Sequence, residues 1–174
     1  VVEGDRKTDA VCGLSFQICG GEVLGVAGVS GNGQRELAEA ICGLRKPKTG
    51  QIKIDGQSVP SGNAKAAREA GLSYVPEERM RDVAIADFNI FENFILLNHG
   101  QKPFCRMGFL RFAQIHEHSR TLIDEYTVKT PNLETPAKNL SGGNIQKLIL
   151  ARELSSDPKV LIAAQPTRGV DIGA

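Results

Sequence analysis

The chain is expected to fold as an α/β domain, with a parallel-sheet core, a small antiparallel edge from its early strands and a lateral helical segment. Three observations predict this. The apolar run Val23-Leu24-Gly25-Val26-Ala27 enters a glycine-spaced loop, Gly28 to Gly33, which opens into the helix-like run Glu36 to Cys42. Two further apolar runs, 71–75 and 160–164, lie between stretches of helical periodicity, the alternation that builds parallel sheets. The stretch 85–140 carries helical patterns with no strand between them, as a helical subdomain at the side of a sheet would.

Bulk properties set the frame. With 174 residues, 41% of them hydrophobic, the chain can bury a core as one globular domain. Its formal charge of +1 and its lack of tryptophan supply neither an electrostatic footprint nor stacking platforms for nucleic acid. No apolar run approaches the roughly 20 residues of a membrane span, and no signal-like start is visible. The four cysteines, Cys12, Cys19, Cys42 and Cys105, lack metal-type spacing and read as reduced thiols. His99, His116 and His118 have no acidic or thiol partners at ligand spacing and read as helix-face residues, so no metal site is expected.

Residues 1–13 read as a strand or hairpin, and Leu14, Phe16 and Ile18 alternate as a half-buried strand turning at Gly20-Gly21. The run 23–27 is apolar on both faces, which suits a covered central strand. Leu37, Ala40, Ile41 and Leu44 keep helical spacing until Gly43 and Pro47. Gln51 to Ile54 forms a short strand ended by the tight turn Asp55-Gly56. A helix over 64–70 should be capped by Gly71, followed by a buried strand to Val75 and a charged loop, Glu77 to Asp82. Helices are expected over about 88–98 and 111–126, separated by a Gly/Pro joint at 100–108. Pro131 and Pro136 punctuate a linker into Leu140-Ser141-Gly142-Gly143. A periodic helix follows over 144–155, then the buried strand 160–164 and the exit loop from Gln165 to Asp171. The ending Ile172-Gly173-Ala174 leaves that loop nowhere to dock, so the chain is expected to stop before its fold does.

Strand, glycine loop and helix together form the layout of a phosphate cradle, in which successive N–H groups and a helix N-terminus face one anion. The pattern is G-x-x-x-x-G-K-S/T. Gly28 and Gly33 match its glycines, whereas Gln34 stands in the lysine place and Arg35 in the hydroxyl place. Alone, such a loop is as often a tight strand-to-helix joint as a ligand site.

The loop at 28–36, Leu140-Ser141-Gly142-Gly143-Asn144-Ile145-Gln146-Lys147, and the segment from Val160 to Asp171 stand in order. Together they resemble the nucleotide-binding domain of ATP-binding-cassette (ABC) transporters, from the strand at 14–18 to Asp171. Tyr74-Val75-Pro76-Glu77-Glu78-Arg79 and Gln165-Pro166-Thr167-Arg168-Gly169-Val170-Asp171 look like the C-terminal, degenerate cassette of the double-cassette ATPases of bacterial sugar and nucleoside importers. The segment Gly108-Phe109-Leu110 leans toward nucleosides. The resemblance implies a P-loop NTPase-type fold, with a nucleotide-binding core at 1–84 and 141–174 and a helical subdomain at 85–140.

Position by position, the resemblance places the Walker A loop at Gly28, Ser30, Gly31, Asn32, Gly33, Gln34, Arg35 and Glu36. It puts the signature at Leu140, Ser141, Gly142, Gly143, Asn144 and Gln146, the Q-loop position at Glu77 and the D-loop aspartate at Asp171. Departures cluster on one site. Gln34 replaces the lysine, Ala164 and Gln165 replace the Walker B Asp-Glu, and Glu77 replaces the Q-loop glutamine. The switch histidine would lie beyond Ala174, and residues 1–13 hold no aromatic to stack on adenine.

Losing the lysine removes a unit charge worth about 4 kcal/mol at 4 Å and an effective dielectric of 20. Ala164 cannot hold magnesium, and Gln165 cannot take a proton from water. The expected role is therefore an ATP-binding, energy-coupling importer component whose own Walker site is inactive. Its signature would be donated in trans to the site of an N-terminal or partner cassette, where ATP and Mg2+ bind. Further implied partners are transmembrane permease subunits, docked through 77–100, and indirectly an extracellular or periplasmic solute-binding protein. The implied location is peripheral, on the cytoplasmic face of the membrane. The alternative is a non-catalytic platform holding permease and partner cassette; cassette ATPases of DNA repair or translation would need insertions that 174 residues do not contain.

Overall fold

The structure, a computed structural model, describes residues 1–5, 7–77 and 84–166. They divide into two compact units: the described residues of Val1–Tyr74 with Pro158–Ala164, and those from Val75 to Asp157 with Gln165 and Pro166.

In the first unit, strands β1 (Val2–Glu3) and β2 (Asp9–Val11) form the antiparallel hairpin expected at the start of the chain. The hairpin packs on helix α1 (Gln34–Ile41). Ion pairs clamp this hairpin down: Arg45 reaches Asp5 and Glu39, each at 2.7 Å, and Lys48 reaches Glu3 at 2.8 Å and Asp9 at 2.7 Å. The hydrogen bond from Lys48 to Asp9, seconded by that to Glu3, raises the Lys48 pKa above its ordinary value.

Strands β3 (Ile52–Ile54) and β4 (Gln57–Val59) pair in register through Asp55-Gly56. Helix α2 (Ala64–Glu69) starts at Asn63, whose side chain accepts the Ala66 N–H. It ends before Gly71 at φ 97°, the expected left-handed cap. Strand β5 (Leu72–Val75) is the sheet neighbour of β8 (Val160–Ala163). Cys42, Ile54, Val59, Ala67 and Leu72 form this unit's core.

Two expectations fail in this unit. The segments 14–18 and 23–27 form no ladder among the described residues, and Leu14, Phe16, Ile18, Val23, Leu24 and Val26 are exposed, Val23 by 95%. A strand apolar on both faces needs a paired strand at each edge and a cover on each face. Strand β8 alternates between half-buried and exposed rather than lying fully buried, and Leu44 is also exposed.

In the second unit, helix α3 (Ile90–Ile95) is shorter than the expected 88–98, and its capping box joins Asn89 and Glu92. Asn93, fully buried, holds the preceding loop through Ile85 N–H at 2.9 Å and the carbonyls of Ile85, Phe88 and Asn89 at 3.1 Å. The joint at 100–108 leads into a small hairpin, β6 (Cys105–Arg106) with β7 (Phe109–Leu110), where helices without strands were expected. Helix α4 (Phe112–Glu125) and helix α5 (Gly142–Leu154) pack with α3 around Ile90, Phe94, Leu122, Leu148 and Ile149. Buried Arg152 and Glu153 pair at 3.1 Å, and the Arg152 guanidinium donates to the Asn93 carbonyl.

None of the four cysteines is in a disulfide. His99 is exposed, while His116 and His118 are half-buried against the rings of Phe91 and Phe104. Among the described residues no group of His, Cys, Asp and Glu is placed to hold a metal ion, and no helix is long and apolar enough to cross a membrane.

Candidate functional site

Gly33 delivers the chain from the glycine loop into α1. It has φ 93°, and a Cβ there would stand 2.4 Å from the Ala10 carbonyl oxygen, so both conformation and packing against β2 require glycine. The loop before it turns inward on one acceptor. The Val29 carbonyl takes the Asn32 backbone N–H at 3.2 Å, the Asn32 side-chain amide at 3.0 Å and the Gln34 side-chain amide at 3.3 Å.

Gln34 lies so close over the loop that a Cβ on Gly28 would meet its Nε2 at 2.0 Å. Arg35 turns the other way along α1, donating to Glu39 at 2.7 Å. Ser30, Gly31 and Asn32 are exposed, and Glu36 is half-buried in the first helical turn. The loop thus spends two side-chain amides on its own Val29 carbonyl, and its cation is paired to a carboxylate.

At the end of β8, Ala164 is half-buried and Gln165 exposed at φ 49°, a left-handed conformation uncommon for a residue with a side chain. Neither offers a carboxylate. Glu77 is half-buried at the edge of the described residues. The expected charged loop beyond it, and Asp171 with the rest of the exit loop, lie outside the described residues.

The turn at 140–143 is built differently. Leu140 is buried, and Ser141 is the N-cap of α5, its hydroxyl accepting the Asn144 N–H at 3.4 Å. Gly142 and Gly143 occupy the first two helical positions, whose N–H groups have no acceptor inside a helix. Gly142 is exposed, and a Cβ there would meet nothing within 4 Å. Among the described residues, no packing contact asks for glycine at this position.

Two side chains of this helix have roles that spacing alone does not show. Gln146, fully buried, donates to the Pro166 carbonyl at 2.8 Å, while its Oε1 has no partner among the described residues. Asn144 accepts the Lys129 N–H at 2.9 Å and donates to the Ser141 hydroxyl at 3.0 Å. Serine before a helix is a recognisable N-cap type; the contact with Lys129 joins segments that no periodicity relates.

A profile of the ABC transporter family matches residues 11–168. The chain belongs to the ABC transporter family. It is 42% identical over 99% of its length to the guanosine import ATP-binding protein NupO of Bacillus subtilis (strain 168), covering 34% of that protein. It is 39% identical over 99% of its length to the nucleoside import ATP-binding protein NupA of Lactococcus lactis subsp. cremoris (strain MG1363), again covering 34%. It is also 40% identical over 88% of its length to ribose import ATP-binding protein RbsA 2 of Rubrobacter xylanophilus (strain DSM 9941), covering 29%.

The chain thus spans about a third of the length of these relatives. Among solved structures, the dimeric bacterial ABC transporter cassette MJ0796 aligns with TM-score 0.75 at 21% identity, over 93% of this chain and 68% of that one. The same cassette in a post-hydrolysis dimer bound to ADP and Pi aligns with TM-score 0.73. These likenesses show the expected α/β cassette fold.

Proposed function

We propose that this chain is an energy-coupling, ATP-binding part of an importer for nucleosides or sugars, in which its own glycine loop is silent and its signature turn works in trans. The observation that carries the reading is the contrast between two turns. At Gly28–Gly33 the donors converge on Val29, and Gln34, Arg35, Ala164 and Gln165 supply no free cation, metal ligand or base of the usual kind. Those residues do not fit Mg-ATP. At Ser141–Gly143 the head of an α-helix is open, and Gly142 keeps space that the described residues leave unused. A phosphate fits there.

The competent site would then consist of a partner cassette's Walker motifs, ATP and Mg2+, closed by Ser141, Gly142 and Gly143 of this chain. Residues 1–84 and 141–174 serve as the nucleotide-binding core and 85–140 as the helical subdomain, with permease subunits docking through 77–100. The assembly sits peripherally on the cytoplasmic face of the membrane and is fed by a solute-binding protein outside. The nucleoside and ribose relatives support the cargo class.

The test is a pair of variants in the full-length protein within its transport complex. Ser141→Arg abolishes ATP turnover and uptake, while Gln34→Ala leaves most of both. Equal effects would contradict the division of roles. Tolerance of Ser141→Arg would instead favour a non-catalytic platform.

A further inference from the structure

We infer that Asn144 is a positioning residue that fixes the proton of the Ser141 hydroxyl outward, toward the phosphate taken by the signature turn. The inference rests on the trans-acting reading above. Its premise is a polarity that the hydrogen bonds determine.

Among the described residues, the Asn144 side chain is hydrogen-bonded to two groups. The first, the Lys129 backbone N–H at 2.9 Å, can only donate, so the Asn144 atom facing it must be the carbonyl oxygen. The other end of the amide is then the NH2 group, and it faces the Ser141 Oγ at 3.0 Å. The Asn144 backbone N–H approaches the same Oγ at 3.4 Å. A serine hydroxyl has two acceptor sites and one proton. With both acceptor sites directed at Asn144, the O–H proton has no use within the turn and is left to donate outward. Ser141 is exposed, so that direction is open.

An anion at the turn therefore meets an oriented O–H donor besides the N–H groups of Gly142 and Gly143. The polarity is set at a distance: the segment after α4, through the Lys129 N–H, dictates which way the Asn144 amide lies. Asn144 touches no phosphate in this scheme and acts only through Ser141.

Asn144→Asp tests this with little change of shape. The carboxylate still accepts the Lys129 N–H, and a negative charge at the third helical position suits the helix dipole, so thermal stability is held or raised. Its second oxygen cannot donate, so the Ser141 proton turns inward to it. In the full-length protein within its complex, Mg-ATP turnover falls about tenfold or more, as expected when a hydrogen bond to a charged group is lost. Asn144→Ala, which adds no charge, gives a smaller loss.

The deciding measurement is the double-mutant cycle with Ser141→Ala. There the further effect of either Asn144 change shrinks to less than about twofold, because there is no hydroxyl left to orient. Losses that persist in full in the Ser141→Ala background overturn the inference and point to charge repulsion or to a structural role at Lys129. A Ser141→Ala loss with both Asn144 variants at normal turnover overturns the inference while leaving the trans reading in place. Normal turnover in Ser141→Ala overturns both.

Discussion

Gln34 donates its side-chain amide to the Val29 carbonyl at 3.3 Å, in the place where the phosphate-loop pattern carries a lysine. Asn32 donates to the same oxygen at 3.0 Å, so the loop holds its own shape. The contact is exposed, and its removal leaves the α1 start to Gly33 and the hairpin beneath it. Gln34→Ala is therefore expected to change ATP turnover of the full-length protein by less than about threefold, the scale of one exposed neutral hydrogen bond. Gln34→Lys is expected to restore no second active site, because Ala164 and Gln165 still supply no carboxylate to act as metal ligand or base. A Gln34→Lys protein with newly doubled turnover would argue against the loss being shared among three positions.

Gly142 offers a test in which stability and activity move in opposite directions. An added methyl there would meet nothing within 4 Å, and the residue has no left-handed φ, so Gly142→Ala should stabilise α5 by up to about 1 kcal/mol. The same methyl occupies the space in which a phosphate would approach the turn, so ATP turnover is expected to fall by about tenfold or more. Thermal melting and turnover on one preparation check both halves. A stabilised variant with full activity would mean that nothing approaches Gly142 closely.

Much of this arrangement is legible in the residues, and what is not has a common cause. Asp55 and Gly56 announce their turn, and both adopt positive φ, 50° and 74°. Gly71 as a cap is equally local, since its signal acts within one turn of chain, whereas the helix read over 144–155 begins two residues earlier, at Gly142. Val23 to Ala27 misleads because apolar residues announce a wish for burial, not the presence of the strands and helices that provide it. The hairpin at 105–110 goes unseen because its strands are two residues each and its turn is Met107-Gly108, with Met107 at φ 53° in place of the usual Asn or Asp. The turn at 140–143 is readable as a loop leading into a helix, but Asn144 meeting Lys129 and Gln146 meeting Pro166 are tertiary facts.

Gln146 bears on stability through that last contact. Its amide is fully buried and donates to Pro166 at 2.8 Å. Gln146→Glu puts a buried carboxylate against a carbonyl, at a cost of about 3 kcal/mol or more near neutral pH. A protonated carboxyl can donate as the amide does, so the folded-state pKa of Glu at this position is raised. The deficit relative to the parent protein then shrinks as pH falls through that raised value. Parallel denaturant titrations at about pH 7.5 and about pH 5.5 measure it; a deficit independent of pH would place the side chain in water.

His118 provides a second pH handle. Burial lowers its pKa below the ordinary value, and its ring lies 4.9 Å from that of Phe104. The unfolded chain therefore takes up the proton first as pH falls. The sign follows: stability associated with neutral His118 is fully present above about pH 6.5 and declines below it as the unfolded state is protonated. His118→Gln should flatten part of the fall in melting temperature between about pH 7.5 and about pH 5.5. An unchanged profile would show that His118 is solvated like a free imidazole.

On the proposed division of roles, a competent nucleotide site exists only when this chain's signature turn closes on a partner cassette. Calorimetric titration of Mg-ATP tests it most directly, first into this domain alone, then into the domain mixed with the partner cassette carrying intact Walker motifs, with that cassette alone as reference. The expected result is no measurable heat for the domain alone and, in the mixture, tighter binding than to the reference, lost with Ser141→Arg. Saturable Mg-ATP binding to the domain alone that Gln34→Ala abolishes, with no gain in the mixture, would contradict it.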